Sequence, residues 1–152
     1  MRHRLIVRDR EAVWTVSTNM TDDAFTLMEN NLVQVDSAAL PNSYAEDFDQ
    51  LWEKENFENT GDIKTIPVPL IFSGESATAR VLFSPGCCLE IDAEVAKRVC
   101  SARRRVRICS LLINSGTLIS ALVDLLRESR VVVSGIYDRT QMAAVYRQWQ
   151  EV

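Results

Sequence analysis

The sequence predicts an α/β fold with a mainly parallel sheet flanked by helices, and three observations support this. Hydrophobic residues make up 47% and charged residues 25% of the 152-residue chain, the balance of a globular domain. Strand-like and helix-like segments alternate through the second half of the chain. One of them, Val106–Ile113, is a largely apolar run typical of a strand buried on both faces. Such alternation favours parallel strands joined by helical crossovers.

Residues 1–53 contain three short β-like runs followed by one helix. The runs are Leu5–Val7, Ala12–Val16 and Asn31–Val35. The polar Arg8–Glu11 segment between the first two predicts a tight hairpin. A helix is predicted after Pro41, because apolar residues then recur at helical spacing at Tyr44, Phe48, Leu51 and Trp52.

Residues 54–79 are predicted to form a connector. Asn, Gly and Pro residues punctuate this stretch, and Pro67 and Pro69 exclude a central strand.

Residues 80–152 are predicted to run strand, helix, strand, helix, strand, helix. The strands are Val81–Phe83, Val106–Ile113 and Val131–Ile136. Helical spacing of apolar residues marks the segments between them, and a last helix is expected to begin near Thr140. Ser115 and Gly116 lie at a strand-to-helix turn, where a helix cap is favoured over an anion site.

Charge and hydropathy restrict the partners and the compartment. The net charge of −4 gives no global attraction to nucleic acid or anionic lipid. No apolar stretch approaches the ~18 residues of a membrane span, and charge near Met1 interrupts any signal-peptide core. A cytoplasmic protein is therefore expected. The four cysteines match no zinc pattern and are expected to be free thiols, with Cys100 and Cys109 in the core.

A group of polar residues near the N-terminus has a specific spacing. Asp9 is followed after six residues by Val16–Asn19, and Arg2 and Arg4 precede it. Glu29 comes just before the third β-like run. These positions resemble the phospholipase D superfamily, whose H-x-K-x4-D pattern is followed by a G-S-x-N-like element. In that alignment Arg2 occupies the histidine position and Arg4 the lysine position.

The resemblance implies a domain organisation and a chemistry. Residues 1–53 would be the end of one family repeat, and residues 80–152 the βαβαβ start of a second, so that the chain stops before the second motif. The family activity is hydrolysis or transfer at a phosphodiester through a phosphohistidine, without a metal or organic cofactor. The implied site has His3 as its catalytic candidate, phosphate ligands at Arg2, Arg4, Ser17 and Asn19, and supporting residues at Asp9 and Glu29.

Departures from the family pattern point away from turnover. His3 is the one histidine of the chain, and it lies one position out of register. Arg2 cannot serve as a nucleophile, because its guanidinium stays protonated. Arg4 keeps the positive charge, whereas Val16 replaces the glycine. We therefore expect a truncated or degenerate phospholipase D-like protein with little or no phosphodiester hydrolysis by itself.

The expected partners follow from this incompleteness. The ligand would be a phosphodiester or another anion. A homodimer that brings together two copies of His3, or flanking segments missing from this sequence, could complete the site. The alternative function is a non-catalytic interaction or dimerisation module, because incomplete sheets favour association.

Simpler explanations exist for each candidate residue. His3 could be a solvated terminal residue, and the nearby arginines could form the exposed face of an edge strand. Ser17 and Asn19 could hold the end of a hairpin. Asp9 is a turn residue on either interpretation, and Glu29 could belong to a polar loop.

The order of the two blocks allows two arrangements. Residues 1–53 and 80–152 could fold together as a circular permutant of a single repeat, with the connector as the closing link. Alternatively, each block keeps its own sheet, and a second chain covers the exposed edges.

Overall fold

The computed structural model describes residues 4–128 and 131–150. The chain divides into two compact units, Met1–Cys88 and Leu89–Val152. The first unit contains, in order, β1 (Leu5–Arg8), β2 (Ala12–Val16), α1 (Asp22–Leu27), β3 (Leu32–Asp36), α2 (Leu40–Lys54), β4 (Val68–Phe72) and β5 (Glu75–Ala79). The second contains α3 (Cys88–Cys100, whose first residue ends the first unit), β6 (Arg105–Ser110), α4 (Gly116–Arg127), β7 (Val132–Tyr137) and α5 (Arg139–Gln150).

The first unit is built on a three-stranded antiparallel sheet in the order β1-β2-β3. The predicted hairpin is confirmed: the N–H of Glu11 donates to the carbonyl of Arg8 at 2.9 Å, and the two residues between them have φ of 52° and 57°. Positive φ at both positions gives a turn whose twist matches the strands. Val13 pairs with Val7 on one side and Val35 on the other and is fully buried, so β2 forms the centre of the sheet.

The predicted helix is confirmed as α2, which packs on β1 and β2. Pro41 lies in its first turn, and Glu55 ends it in the left-handed conformation with φ of 52°. The predicted apolar stripe is only partly buried, because Phe48 is 50% and Trp52 73% exposed, with their rings stacked at 5.9 Å. The 15-residue helix spans about 22 Å, whereas a five-residue strand spans about 17 Å, so α2 is longer than the strands on which it packs.

The predicted connector contains a hairpin that the sequence analysis missed. Strands β4 and β5 pair antiparallel, with Ser73 and Gly74 at φ of 52° and 82° in the turn. Pro69 lies inside β4, which a two-stranded sheet tolerates because both strands are edges.

The segment Val81–Phe83 is not a strand, so its prediction as the first strand of residues 80–152 is wrong. It belongs to the first unit. Phe83 is 4% exposed and meets the Tyr44 ring edge-on, with centroids 5.2 Å apart. The carbonyl of Val81 accepts a hydrogen bond from the Thr65 hydroxyl. Val81–Phe83 therefore completes the core of the first unit.

The second unit contains the predicted parallel pair. Strands β6 and β7 pair from Arg105 with Val132 to Ser110 with Tyr137, joined through α4. The helices predicted on either side of β6 and the last helix are confirmed as α3, α4 and α5. The prediction that the strand in Val106–Ile113 is buried on both faces is wrong, because alternate residues of β6, among them Arg107 and Cys109, are exposed. Because the sheet has two strands and few helices to cover it, one set of alternating side chains stays at the surface.

The fold is a mixed α/β fold, as predicted, but the expectation of a mainly parallel sheet is wrong. Within residues 4–128 and 131–150, the sheets β1-β2-β3 and β4-β5 are antiparallel, and β6-β7 is the parallel pair. The three sheets are separate, which contradicts a permuted repeat sharing one sheet. The physical reason is that Val81–Phe83 is held by side chains of the first unit instead of joining a ladder.

Candidate anion site

Arg4 immediately precedes β1 and lies opposite the end of β2. Its carbonyl accepts the N–H of Val16 at 3.0 Å, which continues the β1–β2 pairing by one residue. This places the half-buried Arg4 beside the loop that follows β2, from Ser17 onward. The position of the guanidinium therefore follows from the register of the hairpin.

The Arg4 guanidinium is held at two points by that loop. Its Nε donates to Oδ1 of Asn19 at 2.8 Å, and its Nη1 donates to the carbonyl oxygen of Ser17 at 2.7 Å. Charge-assisted hydrogen bonds of this length fix both partners. Three of the predicted phosphate ligands, Arg4, Ser17 and Asn19, are thus brought together.

Ser17 joins the loop to the start of β3. Its hydroxyl donates to Oδ1 of Asn30 at 2.9 Å and accepts the N–H of Asn31 at 3.0 Å. The Nδ2 group of Asn30 in turn donates to the carbonyl of Ala24 at 2.9 Å. Because the Ser17 proton is already engaged, this geometry favours a role in holding the end of the hairpin.

Two nitrogen atoms of the cluster are available as hydrogen-bond donors to a ligand. Among the described residues, Nη2 of Arg4 and Nδ2 of Asn19 donate no hydrogen bond. Thr18, which is 5% exposed, fixes the loop by donating from its hydroxyl to the carbonyl of Asn19 at 2.8 Å. A cationic donor and an amide donor held side by side can bind a phosphoryl oxygen pair.

The other predicted site residues do not join the cluster. Asp9 is exposed in the turn at the far end of β1, about 15 Å of strand away from Arg4. Glu29 is exposed in the segment after α1. Arg2 and His3 lie outside the described residues.

A cavity of 210 Å³ adjoins Arg4 within the first unit. Its lining combines Arg4 with two hydroxyl side chains, Thr15 and Tyr44, and with apolar residues Leu5, Val16, Val81, Leu82 and Phe83. Burial raises the pKa of Tyr44 above its ordinary value of 10.0, opposed by a hydrogen bond with Thr15 and reinforced by the charge of Asp47. The phenol is therefore neutral at neutral pH.

The sequence patterns do not predict this cavity. Tyr44 was recognised only as part of the apolar stripe of α2, and Thr15 as part of a strand. The segment Val81–Phe83 was assigned to the second half of the chain. The cavity depends on contacts between residues nearly forty positions apart in the chain. No local pattern in a single sequence predicts such contacts.

The start of α4 is capped as expected. The Ser115 hydroxyl accepts the N–H of Leu118 at 3.1 Å and donates to the Asp92 carboxylate at 2.5 Å. Hydrogen bonds from Ser115 and from Thr117 lower the pKa of Asp92 below its ordinary value of 3.8. A carboxylate of the same unit thus occupies this helix N-terminus, where negative charge is stabilised.

The cysteines are free thiols within the described part of the chain. Cys87 is buried and donates to the carbonyl of Gly61 at 3.3 Å. Cys100 and Cys109 are exposed, so their prediction as core residues is wrong. Cys109 lies on the face of β6 whose alternate residues are exposed.

No protein-family model, curated protein or solved structure matches the chain. The resemblance to phospholipase D therefore rests on the residue spacing in the sequence. Within residues 4–128 and 131–150, no three His, Cys, Asp or Glu side chains are grouped as metal ligands. Of the helices in the same range, none combines the length and the hydropathy needed to cross a membrane.

Proposed function

We propose that this protein is a phospholipase D-like domain that binds phosphate esters at Arg4 and Asn19 and hydrolyses them little or not at all by itself. The observation that carries this proposal is the pair of hydrogen bonds from the Arg4 guanidinium to Asn19 and to the carbonyl of Ser17, at 2.8 Å and 2.7 Å. These are the positions that the family spacing assigns to charge stabilisation.

Binding without turnover follows from the residues available. The family mechanism needs a histidine that attacks phosphorus and a second acid that protonates the leaving oxygen. The sequence has one histidine, His3, and an arginine at the nucleophile position, Arg2. A guanidinium attracts an anion but forms no phospho-enzyme, because it stays protonated. The residues available therefore support electrostatic binding of an anion without its hydrolysis.

The affinity of such a site is modest. Arg4 is half-buried and Asn19 is exposed, so water competes for the anion. A dissociation constant on the order of 1 mM, about 4 kcal/mol of binding free energy, is expected for inorganic phosphate at low salt.

Isothermal titration with inorganic phosphate tests the proposal. Arg4→Gln should abolish the binding. Arg8→Gln is the matched control, because it removes the same charge from a guanidinium that lies over the Trp14 ring at 5.5 Å, at the other end of β1. Equal affinities of the two variants would overturn the proposal, since binding would then depend on general charge.

Turnover of bis(p-nitrophenyl) phosphate without added metal tests the second half of the proposal. Neither the native protein nor His3→Ala should hydrolyse it above background. Hydrolysis that disappears in His3→Ala and on dilution would instead show that a homodimer recruits His3 across an interface.

A non-catalytic interaction module is the second candidate, favoured by an apolar groove on the outer face of the first sheet. The groove has a volume of 340 Å³ and is lined by Ile6, Trp14, Val16, Thr18, Met20, Phe25 and Leu32. Phe25 is 61% and Leu32 57% exposed. Sedimentation velocity of the native protein and of Phe25→Ser tests self-association, and a monomer at all concentrations would contradict a homodimeric module.

A further inference from the structure

The cavity beside Arg4 is larger than an inorganic anion site requires. Its 210 Å³ compares with about 10–15 Å³ for a single water molecule on a similar measure. Seven of the eight lining residues are half-buried and Phe83 is buried, so the cavity is part of the packed unit. It has room for an organic group beside Arg4.

The chemistry of the lining selects the kind of group. Arg4 carries the only charge among the eight lining residues. Tyr44 is neutral because burial disfavours the phenolate, and its hydroxyl is hydrogen-bonded with Thr15. The rings of Tyr44 and Phe83 meet edge-on at 5.2 Å, which forms an aromatic corner on one side of the cavity. These features suit a neutral ring or a short apolar substituent.

We propose that this cavity binds the organic substituent of a phosphate ester while Arg4 and Asn19 hold its phosphoryl oxygens. The ligand class is a phosphate ester with a small neutral ring, in preference to free phosphate. This inference rests on the proposed function, since the same guanidinium must hold the phosphoryl group.

The preference for a phosphate ester over inorganic phosphate depends on the apolar surface that the cavity buries. A phenyl substituent that buries about 60 Å² of apolar surface in the cavity strengthens binding about tenfold over inorganic phosphate. Apolar contact with Leu82 and Val81 supplies part of this area, so a larger side chain at either position should remove the preference.

The experiment compares dissociation constants of phenyl phosphate and inorganic phosphate, measured by titration of the full chain. The native protein should bind phenyl phosphate about tenfold more tightly. Leu82→Trp, which fills the cavity, should reduce that ratio to near one. Ile66→Trp is the matched control, because Ile66 is 76% exposed and does not line the cavity. It should keep the native ratio.

The outcomes separate this inference from the proposed function. Equal, Arg4-dependent affinities for the two ligands would overturn the cavity proposal and leave the anion site standing. Absence of binding, or binding that survives Arg4→Gln, would overturn both. If circular dichroism shows that Leu82→Trp does not fold, Val81→Phe fills the cavity from the adjacent position, and the native ratio alone still decides.

Discussion

Asn19 accepts a hydrogen bond from the guanidinium of Arg4, 15 residues earlier in the chain, at 2.8 Å. The contact joins the residue before β1 to the loop after β2, so it closes the open end of the first hairpin. It also fixes the guanidinium of Arg4 beside the amide side chain of Asn19. In the proposed function, anion binding would therefore depend on the same pair of side chains that closes the hairpin.

Asn19→Asp should abolish phosphate binding while keeping the fold. The new carboxylate accepts the same hydrogen bond from Arg4, but it neutralises the guanidinium and repels an anion. Titration with phosphate and thermal unfolding measure the two effects. Asn56→Asp is the control: it adds the same charge and keeps the acceptor for the N–H of Glu58 at 2.8 Å. Retained phosphate binding in Asn19→Asp would contradict the assignment of the site.

Tyr44→Phe should destabilise the protein by about 1 kcal/mol, because it removes the hydrogen bond with Thr15 and keeps the ring against Phe83. The raised pKa of Tyr44 adds a pH dependence. Above pH 10.0 the unfolded chain loses this proton before the folded protein does, so the stability falls as the pH rises through that value.

Urea unfolding between pH 8 and about pH 11 measures this effect, which Tyr44→Phe should remove. Tyr146→Phe is the control, because Tyr146 is 59% exposed. The same alkaline loss in native protein and Tyr44→Phe would show that Tyr44 is not the titrating group.

Asp92→Asn should destabilise the second unit in a pH-dependent way. The native pKa of Asp92 lies below 3.8, so its contribution is present above that pH and is lost as the pH falls through 3.8 and then the native value. Thermal unfolding at about pH 6 and about pH 3 should give a native-to-variant difference that shrinks at the lower pH. Asp124→Asn, which removes an exposed ion pair of 3.7 Å with Arg127, should change little at either pH.

Gly86→Ala should destabilise the first unit by about 3 kcal/mol or prevent its folding. A Cβ atom at Gly86 would lie 2.2 Å from the backbone nitrogen of Asp62 and 2.4 Å from the carbonyl carbon of Gly61. Backbone atoms on the facing segment cannot move aside cheaply. Gly116→Ala is the control, because nothing lies within 4 Å of its Cβ and it begins α4. Urea unfolding that leaves both variants equally stable would contradict the close packing.

The helices and the first hairpin could be predicted because their information is local. Helical spacing of apolar residues located α2 and α4, and the polar Arg8–Glu11 segment located the turn. The register of that hairpin was enough to bring Arg4 near Ser17 and Asn19. Patterns formed by neighbouring residues can be interpreted without knowing how the rest of the chain folds.

The remaining features depend on contacts between distant segments. A three-residue apolar run such as Val81–Phe83 is too short to show a period that separates a strand from an extended loop. In the structure, the carbonyl of Val81 accepts a hydrogen bond from the Thr65 side chain. Pro67 and Pro69 exclude only a central strand, and the punctuated stretch around them predicts a connector. The structure instead has the β4–β5 hairpin, because a two-stranded sheet accepts Pro69 at an edge. The pairing of Tyr44 with Thr15, and hence the cavity, is likewise tertiary.

The side-chain resonances of Arg4 and Asn19 test the central claim most directly. In a ¹H–¹⁵N spectrum, phosphate should shift the Nε–H of Arg4 and the Nδ2 protons of Asn19 with one common dissociation constant. The Nε–H of Arg98, bonded to Glu94 at 2.7 Å in the second unit, should not follow that curve. Unchanged Arg4 and Asn19 signals at saturating phosphate, or equal shifts at Arg98, would contradict the anion site.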